Sequence, residues 1–167
     1  MKAWIFGGAA AASLAALGTL APLGASAQID LADRPLAGEY RAKITFLSLD
    51  VPDAPPQMAD MMGRMMSFES TYCLTEAEIE EGYQAITNRS MRGDGADDCT
   101  YDRYNFTGGQ IDAEMTCRVD GRQMRMTMTG TGSPTSSDIT ITMAGDFGMG
   151  DGSMKMRARH EWLGACN

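Results

Sequence analysis

The chain has 167 residues, a formal net charge of −8 at pH 7 and fifteen methionines. The acidic surplus repels phosphate groups, and no cluster of lysine and arginine interrupts it. The composition therefore argues against a nucleic-acid-binding protein and against adhesion to an anionic lipid surface.

Residues 1–27 are predicted to be a secretory signal peptide. Lys2 supplies the positive charge, a run of small apolar residues follows, and Ala25-Ser26-Ala27 matches the site after which signal peptidase cleaves. No cysteine follows that point directly, and no later apolar run approaches the ~20 residues of a spanning helix. We expect a periplasmic or secreted protein, cleaved after Ala27, with no transmembrane segment.

The remaining chain is long enough for one domain with its own core. Residues 28–37 are polar and are predicted to form a flexible N-terminal arm, and residues 38–167 are predicted to form a single domain. Apolar and polar residues alternate over residues 40–46, which indicates a first strand. Three prolines within residues 50–57 then predict an irregular connection.

A methionine-rich helical segment is predicted next. Five methionines recur at the spacing i, i+3, i+4, i+7 and i+8 of an amphipathic helix: Met58, Met61, Met62, Met65 and Met66. Gly63 lowers the stability of such a helix by about 1 kcal/mol relative to alanine. Alternation over residues 68–74 indicates a second strand.

A second helix is expected to begin at a capping box. Thr75 and Glu78 have the spacing at which each side chain can accept a hydrogen bond from the other residue's backbone N–H. Glutamates crowd the first turns, where the helix dipole favours negative charge. The helix is predicted over about residues 76–87, with a loop over residues 88–98.

The rest of the chain indicates antiparallel strands. Apolar and polar residues alternate over residues 111–119, Asp120-Gly121 is a favoured two-residue hairpin turn, and the alternation resumes through Met128. The same pattern predicts strands over residues 99–106, 139–143 and 154–162. The predicted fold is mainly β: an antiparallel meander forming a curved sheet or a small barrel, with one inserted α-helix and the short Met-rich helix.

All four cysteines lie after the predicted cleavage site, and an even count in an exported chain indicates two disulfides. Four cysteines allow three pairings. If the loop at residues 107–109 has three residues, Cys99 lies opposite Cys117. A meander then places Cys166 at the other edge, where Cys73 is left as its partner. We favour Cys99–Cys117 with Cys73–Cys166.

The order of these features resembles a known family. Gly38-Glu39-Tyr40 opens the first strand, a Met- and Pro-rich segment follows, and Cys73-Leu74-Thr75 precedes single cysteines that end at Cys166. This order is similar to the bacterial family called domain of unknown function 3617, which carries a Cys-Leu-Thr motif, and it spans about residues 38–166. The resemblance implies an exported Gram-negative bacterial protein and implies no activity.

The Met58–Met66 cluster supports three interpretations. Its spacing is that of an ordinary apolar helix face, and methionines elsewhere fill the sheet core. Thioether sulfur is also a soft ligand that selects Cu(I), so the cluster could form a copper site. A flexible Met-lined segment over a curved sheet could instead cover a cavity for a lipid-like ligand.

His160, the only histidine, shares a strand face with Met154, Met156 and Trp162. A lone histidine on an apolar face is typical of a hydrogen-bonded core residue, and no partner for a catalytic triad is apparent. We therefore predict no enzyme and no catalytic residue. The sequence favours an exported module that binds an apolar small molecule or an envelope protein without a cofactor, with a Cu(I)-binding protein as the alternative.

Overall fold

The structure, a computed structural model, describes residues 28–29, 34–52, 54–81, 96–119 and 121–166. The predicted signal peptide and the second half of the second predicted helix lie outside these residues. No helix within the described ranges is long and apolar enough to cross a membrane.

The described chain is mainly β, as the alternation predicts, and each predicted strand is present. The elements in chain order are β1 Gln28–Ile29, β2 Gly38–Asp50, α1 Pro56–Met66, β3 Phe68–Leu74, α2 Glu76–Glu81, β4 Ala96–Thr107, β5 Gln110–Val119, β6 Arg122–Ser133, β7 Ser136–Asp146 and β8 Asp151–Gly164. The predicted loop over residues 88–98 is too long at its end, because β4 already begins at Ala96.

The strands form one sheet in the order β1-β4-β5-β6-β7-β8-β2-β3. β4 to β8 are a meander in chain order, and the β2–β3 pair is added to its far side through β8. Apart from the parallel pairing of β1 with β4, neighbouring strands are antiparallel.

The sheet is open, so the barrel alternative is wrong for the described strands. The chain passes from β3 at one edge to β4 near the other, and the two strands are not neighbours. β1 occupies the outer side of β4 at Asn105 and Phe106, where a closing strand would have to pair.

The β4–β5 hairpin places Cys99 opposite Cys117 as expected, but its turn length and strand register differ from the prediction. Its loop has two residues, Gly108 and Gly109, both with positive φ, whereas the sequence suggested three. An irregularity between Tyr101 and Arg103 shifts the register by one residue. Cys99 therefore still lies opposite Cys117, because the bulge compensates for the shorter turn.

Each disulfide ties one side of the sheet. Cys99–Cys117 joins β4 to β5, with 4.1 Å between the Cα atoms. Cys73–Cys166 joins edge strand β3 to the chain after β8, with 5.8 Å between the Cα atoms, and so spans the end of β2. This pairing is the one that the sequence favours.

The two faces of the sheet differ sharply in polarity. The inner face carries the apolar side chains, of which Met115, Cys117 and Met126 form a buried cluster. The outer face carries cross-strand ion pairs between exposed groups, for example Arg103 with Asp112 at 2.8 Å. Such pairs contribute roughly 0–1 kcal/mol each, so the inner face supplies most of the stability.

A second buried cluster lies at one end of the sheet, where Tyr40, Leu74 and Ile79 pack together with Trp162 against them. The Tyr40 hydroxyl donates to the carbonyl oxygens of Leu36 and Pro134, at 2.8 and 3.0 Å. The last two residues of the predicted N-terminal arm are held by hydrogen bonds, since the Leu36 carbonyl accepts from Tyr40 and the Ala37 carbonyl accepts from half-buried Trp162.

Each residue of the Cys73-Leu74-Thr75 tripeptide has its own structural role. Cys73 forms a disulfide, Leu74 is buried in the second cluster, and Thr75 caps α2. The capping box is formed as predicted, since Thr75 N donates to Glu78 Oε2 at 2.9 Å and Glu78 N donates to Thr75 Oγ1 at 3.3 Å.

Candidate ligand-binding site

The Met-rich helix α1 is shaped by its flanking residues. Pro56 stands at its first turn, where the fixed φ of proline suits a helix and the missing N–H needs no partner. The helix ends at Met66, and Ser67 returns to an extended conformation. No side chain caps its N-terminus, where the Met58 N–H donates to the Pro55 carbonyl oxygen at 2.9 Å.

Two contacts place α1 against β2. Ser67 Oγ accepts a hydrogen bond from the backbone N–H of Phe46 at 3.0 Å, beside an irregularity of β2 between Phe46 and Ser48. At Gly63 a Cβ would lie 3.4 Å from the Phe46 ring, so the glycine faces that side chain. Phe46 lies opposite Met156 of β8 on the inner face, and α1 therefore covers one border of that face.

The methionines of α1 are poorly covered by the rest of the chain. None of the helix residues is buried; Met61 and Met65 are 53% and 70% exposed, and Met58, Met62 and Met66 are half-buried. The interpretation of this cluster as an ordinary apolar helix face is therefore incomplete, because the apolar stripe of a packed helix would be hidden from water.

Exposed apolar side chains are concentrated in the stretch of the chain that contains this helix. Eight large apolar residues of the described chain are exposed, and five of them lie within residues 47–72: Leu47, Met61, Met65, Phe68 and Tyr72. Scattered apolar residues are normal on a protein surface, whereas large contiguous apolar patches are typical of interaction sites.

The inner face beside α1 is also only partly covered. Where β5 and β6 meet, Ala113 and Met115 are fully buried. Across β7, β8 and β2 most of the apolar side chains are only half-buried, namely Ile139, Ile141, Met143, Met156, Ile44 and Phe46, which we call the open strip. Pairing of Ile141 with Met156, and of Met156 with Phe46, makes the strip continuous across these three strands.

His160 lies at the end of the open strip in a small polar cluster. Its Nδ1 is 2.9 Å from Ser137 Oγ, and the Tyr72 ring meets it edge-on with centroids 6.1 Å apart. Burial lowers the pKa of His160, and partial burial of the Tyr72 hydroxyl together with the neighbouring Tyr40 raises the pKa of Tyr72 to about 12. Burial therefore favours the neutral imidazole, with the Ser137 hydroxyl as its hydrogen-bond partner.

The lowered pKa of His160 predicts a specific dependence of stability on pH. The unfolded state takes up this proton near pH 6.5, whereas the folded state resists it, so stability falls as the pH drops below about 6.5. We expect the wild type to lose more free energy of unfolding between pH 7.5 and 5.5 than His160→Gln does. Urea unfolding at both pH values measures the difference. An equal loss in the two proteins would show that burial does not lower the pKa of His160 in the folded protein.

Sequence reasoning found the methionines of this site but missed their apolar neighbours. Phe46, Phe68 and the β7 residues carry no distinctive motif, and the alternation assigned them to a covered sheet face. Their partial exposure depends on the strand order, which the sequence does not encode locally.

Within the described ranges no cluster of three or more His, Cys, Asp or Glu residues is arranged to hold a metal ion.

Comparison with known proteins gives one result. A family model described as "Protein of unknown function (DUF3617)" matches residues 35–166. No curated protein and no solved structure matches the chain. The match covers both disulfides, α1 and the open strip, so the whole candidate site lies within the family domain.

Proposed function

Because the chain belongs to the DUF3617 family, for which the match supplies no activity, we propose from the geometry that it is an exported binding protein. Its ligand is apolar and lipid-like, and it lies between α1 and the open strip. The observation that carries this proposal is the coincidence of two incompletely covered apolar surfaces: a helix with no buried residue and a half-buried sheet face that meets it at Phe46.

The physical argument rests on apolar area. Each half-buried side chain keeps part of its surface in water, and covering that surface is favourable by about 25 cal/mol per Å². A ligand inserted under α1 would cover side chains of the helix and of the sheet together. Methionine suits such a cover, since its unbranched, polarisable side chain adapts to different apolar shapes.

One further observation supports export. Two disulfides link the described chain, and disulfides persist in oxidising compartments outside the cytoplasm. The leader predicted over residues 1–27 would direct the chain there, and a mass spectrum of the protein from a native envelope fraction would show whether it begins at Gln28.

Binding of N-phenyl-1-naphthylamine, an uncharged dye that brightens in apolar surroundings, tests the proposal. We expect saturable binding that is weakened about tenfold by Met62→Glu, because the carboxylate would lie in the covered space. The control is Met149→Glu, which adds the same charge at an exposed residue in the β7–β8 connection. Equal affinity of the two variants would contradict the proposed site.

Hydrogen exchange separates a small ligand from a protein partner. A lipid held under α1 should slow exchange over residues 56–66 when a bacterial lipid extract is added. An envelope protein docked on the same surface should slow it only when protein-containing envelope fractions are added. Unchanged exchange in both cases would argue against any occupant of this site.

A Cu(I) site is the second candidate, favoured by one observation. Met61 and Met65 are one helical turn apart and are the most exposed methionines of the helix, so their thioethers are accessible to an ion. Replacing Met61, Met62 and Met65 by leucine keeps the apolar surface and removes three sulfurs. Titration with Cu(I) under reducing conditions should then lose tight binding while dye binding persists; unaltered copper affinity would reject this candidate.

A further inference from the structure

A polar cleft lies on the charged outer face of the sheet. Its volume is about 640 Å³, and its lining comes from five neighbouring strands, β6, β7, β8, β2 and β3. The charged residues that line it are Arg41, Lys43, Glu69, Asp138, Arg159 and Glu161. The rest of the lining consists of serine and threonine residues of β6 and β7 together with Gly132 and His160, so this cleft would admit a polar ligand and not an apolar one.

The charges in the cleft are unevenly matched. Arg41 is shared by two carboxylates, with Glu161 at 3.2 Å and Glu69 at 3.5 Å. Asp138 is shared by two guanidinium groups: Arg159 Nε lies 3.2 Å from it and Arg157 Nε lies 2.6 Å from it. One group of three therefore has a negative surplus and the other a positive surplus.

Lys43 adds its charge to the positive side. In the strand register it lies directly opposite Arg159, with Glu69 opposite it on the other side. Glu69 pairs with Arg41 instead, so among the described residues Lys43 has no carboxylate within ion-pair distance. Like charges directly opposite on neighbouring strands repel each other, and an anion between them would relieve that repulsion.

We propose that this cleft is an anion-binding site in which Lys43 and Arg159 hold a phosphate group. On the Asp138 side of the cleft, Lys43, Arg159 and Arg157, which pairs with Asp138 from outside the lining, exceed that carboxylate by two charges, while Arg41, Glu69 and Glu161 on the other side leave one negative charge in surplus. The local positive surplus beside Asp138 favours a phosphate anion there. Arg159 directs planar N–H donors at its oxygens, and Lys43 supplies a compact charge. Ser136 and Thr131, which also line the cleft, can donate hydroxyl hydrogens.

The site is notable because the chain as a whole carries a charge of −8. The long-range field of the protein repels an anion, so binding must come from the short-range groups of the cleft. We therefore expect the affinity to depend strongly on the local cation and less on the total charge of the protein.

The test is a titration of the folded protein with inorganic phosphate, followed by amide chemical shifts at constant ionic strength. We expect saturable shifts at residues 43 and 159. Lys43→Gln should weaken the affinity for phosphate about fivefold, which corresponds to the largest contribution expected of one exposed ion pair. Lys155→Gln is the matched control, since Lys155 is an exposed lysine on the same face of β8 and does not line the cleft. Its affinity should equal that of the wild type.

A competition experiment identifies the source of the phosphate group. A short-chain lipid with a phosphate headgroup that displaces inorganic phosphate from the cleft would indicate a lipid source, and failure to displace it would indicate a free phosphate compound. Equal responses of Lys43→Gln and the wild type, or equal shifts with chloride, would overturn the proposal. Lys43 is exposed, so its replacement should leave the fold intact, and thermal unfolding of the variant checks this.

Discussion

Replacing Cys73 and Cys166 together by alanine should lower the free energy of unfolding by about 4 to 5 kcal/mol. The bond closes a loop with a sequence separation of 93 residues, and the entropy that such a crosslink removes from the unfolded chain is equivalent to about that amount. Both cysteines are exposed, so their removal leaves no cavity to add to the loss. Urea unfolding of oxidised wild type and variant measures it.

The second disulfide provides the comparison. Cys99–Cys117 spans 18 residues, for which the same entropy argument gives about 3 kcal/mol. Cys117 is also buried beside Met115, with 3.6 Å between the two sulfurs, so its replacement adds a packing loss. A loss below about 1 kcal/mol for the Cys73 and Cys166 variant would mean that the unfolded chain is already restrained without the bond.

Gly38→Ala should be strongly destabilising. Gly38 has φ +147°, which side chains rarely adopt, and a Cβ there would collide with the Gly164 carbonyl oxygen and with Nε1 of Trp162. Backbone strain and overpacking together should destabilise the protein by about 3 kcal/mol. Chemical denaturation measures the change.

Gly164→Ala separates the two causes. Gly164 has nearly the same φ, +142°, but a Cβ there would have open space around it. Its replacement should therefore show the backbone strain alone, about 1 to 2 kcal/mol. If both variants lose the same stability, the close approach of Gly38 to Trp162 has no energetic role.

These two positions illustrate what the sequence could predict. Gly38-Glu39-Tyr40 and Cys73-Leu74-Thr75 identified the family, and strand alternation and the capping box predicted the local elements. The reason that residue 38 must be glycine was not predictable. It depends on the tryptophan of β8 donating to the Ala37 carbonyl at 3.1 Å, 125 residues away in sequence.

The candidate site shows the same division. The spacing of the α1 methionines predicted an amphipathic helix, and that helix is present. Its poor burial was not predictable, because burial depends on which strands lie beneath it. An ordinary meander would place β3 next to β4, whereas here the β2–β3 pair joins β8 and leaves the inner face beside α1 half-covered. The polar cleft likewise requires β8 to lie between β7 and β2.

The strand order determines when β2 can pair with its second neighbouring strand during synthesis. β2 is made early, but its partner on the meander side is β8, the last strand of the chain. The hairpin-like unit of β2 and β3 must therefore wait, with one edge of β2 unpaired, until nearly the whole polypeptide has emerged. Long-range pairing of this kind is slow, and an unpaired strand edge is vulnerable to aggregation. We expect truncation before β8 to leave the first third of the domain in need of a chaperone.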